Sequence, residues 1–157
     1  MKKKRVVIIS LLLLLVSVIG ISSYFLFKDK TNLLDVDHSA VDWNGKKQKD
    51  TSGEENTIAI PGFEKVTLYA NETTQAVNFH NPEINDCYFK ISLIHPDGSV
   101  LWISDLIEPG KGMYSIELEK TLAVGEYENA VLKYECFSLN DQSPLNGSEI
   151  NLKLVVV

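Results

Sequence analysis

The side chains that could do chemistry in this sequence are few and widely spaced. Its three histidines are His38, His80 and His95, and no two of them lie at metal-ligand spacing. The nucleophile motifs G-x-S-x-G and S-x-x-K do not occur, and no glycine-rich phosphate loop precedes a helix. The sequence therefore predicts no catalytic, metal-binding or cofactor-binding residue, and favours a protein that is not an enzyme.

The carboxylates are numerous, but their pattern is typical of a solvated surface. Asp35 with Asp37, and Asp97 with Asp105, could each supply oxygen ligands to a calcium ion. Neither pair belongs to the ligand series of a calcium-binding loop. A further group of acids falls on the outward side of predicted strands and is interpreted as solvation: Glu117, Glu119, Glu126, Glu128 and Glu135.

The two cysteines lie in two runs with the period-2 alternation of β-strands. The run from Cys87 to His95 alternates apolar with more polar residues, and Cys136 shares the parity of Tyr134 in a second run. Both cysteines therefore face inward. We expect a Cys87–Cys136 disulfide, closing a loop of about 50 residues and stabilising the fold by roughly 4 kcal/mol. The alternative is a pair of buried free thiols.

The elements that must position these residues are short strands. Residues 57–157 contain seven or eight of them, separated by turn signals such as Pro96-Asp97-Gly98, with no segment of helical period. This pattern predicts an all-β, two-sheet sandwich domain. A small closed barrel is the alternative.

Two features favour an immunoglobulin-like sandwich. Trp102 lies between the two cysteines, giving the order Cys…Trp…Cys. Tyr134 precedes the second cysteine by two residues, where a tyrosine corner is found, although Tyr127 competes for that role. Trp102 and Tyr134 are therefore expected to mark the core.

The N-terminus has the pattern of a membrane anchor. A basic tip, residues 1–5, precedes 22 uncharged residues, 6–27, which as a helix would span ~33 Å. The basic tip places the N-terminus in the cytoplasm and the remainder of the chain outside the cell membrane. The alternative is a signal peptide cleaved after Gly20, which would release a secreted protein.

Residues 28–56 are mostly charged or small, and predict a flexible linker between the anchor and the domain. Trp43 stands out in this segment because an exposed indole is costly. It is expected to dock on the domain or to lie near the membrane surface. The alternative is a short recognition element for a partner.

The charge distribution bears on the choice of partner. The chain carries a net charge of −6, but from residue 29 onward ten lysines face 21 carboxylates. Such a surface repels polyanions, so we expect no nucleic-acid partner.

Several sequence blocks resemble those of a family of small membrane-anchored proteins from Gram-positive bacteria. The blocks are Val41-Asp42-Trp43-Asn44-Gly45, Ile60-Pro61-Gly62-Phe63, Asn81-Pro82 with Cys87-Tyr88-Phe89, Glu108-Pro109-Gly110-Lys111, Gly125-Glu126-Tyr127 and Leu145-Asn146-Gly147. The resemblance implies a single-pass protein with an outward-facing sandwich in the cell envelope. It brings no catalytic residue with it.

Taken together, these patterns predict a non-enzymatic binding or assembly module with a protein partner in the cell envelope. Sandwiches bind through loops or sheet edges, so the loops 81–86 and 140–148, with Asn140 and Asn146, are candidate surfaces. The final strand is expected to be paired within the fold. An envelope protease inhibitor presenting the 109–112 loop is the alternative function.

Overall fold

The computed structural model describes residues 33–45 and 57–157. The predicted anchor (6–27) and the linker on either side of residues 33–45 lie outside the described residues. Residues 34–157 form one compact unit. Within the described ranges, no helix is long and apolar enough to cross a membrane.

The described chain is all-β, as predicted for the domain. Its eight strands are β1 (Val41–Asp42), β2 (Lys65–Leu68), β3 (Thr74–His80), β4 (Cys87–Ile94), β5 (Val100–Ile103), β6 (Lys111–Glu117), β7 (Gly125–Ser138) and β8 (Pro144–Val156).

The strands form two separate sheets. One has three strands in the order β1-β6-β3, and the other has five in the order β2-β8-β7-β4-β5. All pairings are antiparallel except that of β2 with β8. This arrangement is that of a two-sheet sandwich rather than a small closed barrel.

The period-2 alternation explains how the core is built. In β4, Cys87, Phe89, Ile91 and Leu93 all point inward and are almost fully buried. Aromatic rings fill the space between the sheets, with Phe79 of the three-stranded sheet 5.8 Å from Trp102 of the five-stranded sheet, measured between ring centroids. Burial of these side chains is the main force that holds the sheets together.

The final strand is paired on both sides, as expected. Its residues 153–156 pair with β2, and most of its length pairs with β7. The predicted loop 140–148 is shorter in the structure, because β8 begins at Pro144. Only residues 139–143 connect β7 to β8.

The predicted linker differs from the structure over residues 34–45, which lie against the domain as an ordered strap. Asp37 N donates to Leu106 O at 2.8 Å, and the side-chain amide of Gln142 bonds both backbone groups of Leu34. The physical reason is that these backbone groups find partners on the domain, which a composition-based argument does not consider.

Candidate binding groove

The strap ends in a docking element formed by residues 41–45. Its first two residues, β1, pair with Lys111 and Gly112 at the start of β6 and so extend the three-stranded sheet. Trp43 N donates to Gly110 O at 2.9 Å, which continues the attachment past the strand. Backbone hydrogen bonds therefore attach the docking element to the domain independently of its side chains.

Trp43 lies on the outer face of the three-stranded sheet. Its indole stacks on the ring of His80 with centroids 3.9 Å apart and planes at 11°, and Nε1 donates to Asn78 Oδ1 at 2.7 Å. Gly112 makes room for this contact, because a Cβ there would lie 2.9 Å from Trp43 Cδ1. The structure thus agrees with the expectation that Trp43 docks on the domain.

The flanking residues of the docking element are held by polar contacts. Asn44 N donates to the Tyr114 hydroxyl, which in turn donates to Asn44 Oδ1, both at 2.8 Å. Lys111 donates to the Asp42 carboxylate, and this hydrogen bond holds the pKa of Asp42 below, and that of Lys111 above, the usual value. Each residue of the element from 41 to 44 therefore has a partner on β6 or β3, or in the turn before β6.

Buried amides fix the neighbouring loop 81–86. The Asn81 side chain donates to Cys87 O at 2.8 Å and to Ile107 O at 2.9 Å, and accepts from Asn85 Nδ2 at 2.8 Å. Asn85 also bonds both backbone groups of Ala59. These amides add hydrogen bonds to the backbone at this end of the sandwich, where Ile107 O also accepts from Phe89 N at 3.0 Å, and so help to set its shape.

A groove of about 800 Å³ lies where these segments meet. Its rim is apolar and acidic: Ile84 is 80% exposed, and the Asp42 and Glu83 carboxylates lie beside it. The lining residues come from the docking element, from loop 81–86 with His80, and from the turn before β6: Asp42, Trp43, Asn44, Gly45, His80, Pro82, Glu83, Ile84, Pro109 and Gly110. Three of the blocks that carry the family resemblance therefore meet at one site.

The groove offers surfaces for binding. Prolines, an indole and an aliphatic side chain provide apolar contact area, while the carboxylates of Asp42 and Glu83 provide hydrogen-bond acceptors. Sequence reasoning singled out Trp43 and the 81–86 loop, but had no signal that the turn at 109–110 would join them.

The residues predicted for interaction at the other loop lie elsewhere. Asn140 is exposed in the β7–β8 turn, and Asn146 is exposed within β8. Neither lines the groove.

The two cysteines are neighbours, but they are free thiols in the structure, not the predicted disulfide. Cys87 pairs with Ser138, and Cys136 pairs with Phe89, so the thiols lie diagonally on the inward face of one sheet. Both strands belong to the five-stranded sheet, and shared parity alone does not say which sheet a strand joins. The hydrogen bond with Cys87 and burial raise the pKa of the Cys136 thiol.

The hydrogen bond expected of a tyrosine corner is made by Tyr127 rather than by Tyr134. Tyr127 lies near the start of β7, and its hydroxyl donates to Ala123 O, four residues upstream, at 2.9 Å. Tyr134 is 1% exposed and packs edge-on against Phe89, where burial raises the pKa of its hydroxyl. Trp102, the other predicted core marker, is 7% exposed on β5.

The acidic pairs considered for calcium make other contacts. Asp37 accepts hydrogen bonds from Ser39 and from Asp105 N, and Asp97 accepts from Ser99 N. Over residues 33–45 and 57–157, no group of three or more potential metal ligands comes together.

The chain was compared with protein-family models, with curated proteins and with solved structures. None of them matches it.

Proposed function

We propose that this protein is a membrane-anchored, extracytoplasmic binding module of the bacterial cell envelope, and that the groove beside Trp43 is its binding site. The observation that carries the proposal is the construction of the groove. Three segments distant in sequence are fixed there by specific contacts, and the cavity between them is left open. A site whose residues are already held in place loses little conformational entropy when it binds a ligand.

The strand order supports an immunoglobulin-like architecture for the module. β3 and β6 pair in one sheet, and β8, β7, β4 and β5 follow one another in the other. The parallel β2–β8 pair and the tyrosine corner of Tyr127 are further features of such domains. The family resemblance of the sequence blocks supports the same architecture and the envelope location.

The partner that we propose is an envelope protein. An 800 Å³ groove with an exposed aliphatic side chain and carboxylates at its rim suits a peptide segment with apolar and basic side chains, because the described domain is strongly acidic. The inhibitor alternative receives no support from the geometry. Lys111 in the 109–112 loop is paired with Asp42 of β1 and its carbonyl accepts from Asn81 N, so the backbone of Lys111 already has partners within the domain.

Site-specific photocrosslinking in intact cells tests the proposal. A benzoylphenylalanine at position 84 places the probe at the rim of the groove, and the same probe at Val124, which is 71% exposed and outside the groove, is the matched control. We expect a discrete product at 84 and none at 124. No product at position 84, or the same products at both positions, would rule out the groove as the binding site.

A further inference from the structure

The net charge of the domain is distributed unevenly over its surface. The described residues carry six lysines and 17 carboxylates, a net charge of −11. On the outer face of the five-stranded sheet, however, four lysines meet four glutamates: Lys65, Lys90, Lys133, Lys153, Glu126, Glu128, Glu135 and Glu149. The charges on this face therefore sum to zero, and the net charge of −11 comes from residues elsewhere on the described domain.

Five of these eight charged side chains form ion pairs with one another. Lys153 lies 3.0 Å from Glu126 and 2.6 Å from Glu128, and Lys133 lies 3.5 Å from Glu135. Since the charges are balanced locally, the face can approach another molecule without a large electrostatic cost.

Aliphatic side chains cross the middle of the same face. Val100, Ile94 and Val131 are cross-strand neighbours on β5, β4 and β7. A register shift in β5 turns Leu101 and Trp102 inward, so that Ile103 joins Val100 on the outside; these two are 47% and 45% exposed. Exposed aliphatic residues gathered on one sheet face are typical of an interaction surface.

We propose that the outer face of the five-stranded sheet is a docking surface for a second copy of this chain, packed face to face about a two-fold axis. Charge complementarity selects this occupant. Two copies with −11 each repel one another at their acidic faces, but here lysines and glutamates of one copy can oppose glutamates and lysines of the other.

The size of the face limits the area that the dimer can bury. β4, in the middle of the face, is eight residues long. Four strand spacings of ~4.8 Å and strands ~25 Å long give a face of about 500 Å². Specific interfaces commonly bury about 800 Å² per partner, so the dimer belongs at the weak end, with a Kd in the micromolar range.

Sedimentation equilibrium of the full-length chain in density-matched detergent tests this proposal. The interface variant is Val100→Lys with Ile103→Lys, at positions exposed enough to tolerate the change. The control is Val124→Lys with Val41→Lys, which removes two exposed aliphatic residues and adds the same charge outside the strands of this face. A third chain, Lys133→Glu, keeps the aliphatic residues and makes the face acidic.

We expect the wild-type chain and the control to show the same monomer–dimer equilibrium. The interface variant and Lys133→Glu should each raise Kd by about tenfold or more, equivalent to ~1.4 kcal/mol. Circular dichroism melting shows whether each variant is folded. A wild-type chain that stays monomeric to 100-fold above the expected micromolar range, an equal effect of the control, or folded interface variants that dimerise normally would each overturn the proposal.

Discussion

At the scale of single residues, side-chain amides form hydrogen bonds with backbone groups where strands end. Gln75, which is 1% exposed, bonds both backbone groups of Tyr69 and the carbonyl of Glu72, and so closes the turn between β2 and β3. Asn81 and Asn85 do the same for the segments around the groove. A buried amide supplies donors and an acceptor together, which an apolar residue of similar size cannot do.

We predict that Asn81→Ala lowers the free energy of unfolding by about 2 kcal/mol, because the carbonyl of Cys87 loses a buried donor and the side-chain amide of Asn85 loses an acceptor. Urea denaturation measures the change. Asn140→Ala, at an exposed position in the β7–β8 turn, is the control and should change stability by less than about 0.5 kcal/mol. Equal effects of the two substitutions would contradict the role given to Asn81.

The contacts of Asp97 in the turn after β4 lead us to predict that the stability of the fold depends on pH. The hydroxyl and backbone N–H of Ser99, together with His95, hold the pKa of the Asp97 carboxyl well below its usual range. A carboxyl whose pKa is lowered on folding adds stability above its unfolded pKa, and this contribution disappears as the pH falls through the folded pKa.

Asp97→Ala should therefore lower Tm at pH 7, and the difference from wild type should shrink as the pH falls below about 4. Calorimetry between pH 7 and pH 2 measures it. Asp86→Ala, which removes an exposed carboxylate from a loop, controls for the change in net charge. A difference for Asp97→Ala that stays constant over this range would show that the carboxylate charge is not responsible.

At the scale of elements, the β7–β8 hairpin depends on an irregularity in its register. Tyr134 pairs with Ser148 while Cys136 pairs with Leu145, so Asn146 and Gly147 together face a single residue of β7. This bulge accounts for the Leu145-Asn146-Gly147 block of the sequence. A side chain at 147 would meet the backbone of β7, because an added Cβ would lie only 2.2 Å from Tyr134 O.

Gly147→Ala is therefore predicted to destabilise the domain by about 2–3 kcal/mol through forced movement of the backbone. The matched control is Gly62→Ala, where an added Cβ meets nothing within 4 Å. It should be close to neutral or slightly stabilising, since alanine restricts the unfolded chain. Thermal unfolding of both variants measures the contrast, and a stable Gly147→Ala protein would mean that the hairpin adopts another register.

The strap is a second element whose stability can be measured. Trp43→Ala removes the stacking on His80 and the hydrogen bond to Asn78, so residues 34–45 should exchange amide hydrogens at least about tenfold faster. Val41→Ala is the control, because Val41 is half exposed and its attachment to Gly112 is through the backbone. Unchanged exchange in Trp43→Ala would show that the backbone bonds alone hold the strap.

At the scale of the whole molecule, the predicted anchor and the acidic domain are expected to lie in different surroundings. Residues 6–27 carry no charge, whereas the described residues carry −11. A single apolar span of this length remains in the membrane under conditions that release peripheral proteins.

We therefore expect the chain with a C-terminal tag to stay in the membrane fraction of a Gram-positive host after a carbonate wash. Its intact mass should correspond to a chain that retains residues 6–27. Protease added to protoplasts should remove the tag, because the basic tip keeps the N-terminus inside. Tagged protein in the medium with a mass that begins after Gly20 would identify the segment as a cleaved signal peptide instead.

Local patterns in the sequence were sufficient to predict the strands and their buried faces. Alternation in 87–95 and around Cys136 predicts β4 and β7 and which of their residues lie in the core, because side-chain direction along a strand depends only on neighbouring residues. The turn residues Pro96-Asp97-Gly98 correctly indicated where β4 ends. The apolar run of residues 6–27 and the excess of carboxylates led to the expectation of an anchored, acidic protein. Trp43 was noticeable because its neighbours are polar.

The tertiary structure decided which strands pair and which segments meet. The two cysteines share a parity whether they lie in one sheet or in two, and only the β4–β7 pairing places them side by side. The order of residues around Tyr127 and Tyr134 leaves two candidates for the corner, and the hydrogen bond to Ala123 selects one. The groove joins residues 42, 83 and 109, which local patterns cannot bring together. Contacts between such distant residues depend on how the whole chain buries its apolar surface, so they cannot be inferred from any short stretch of sequence.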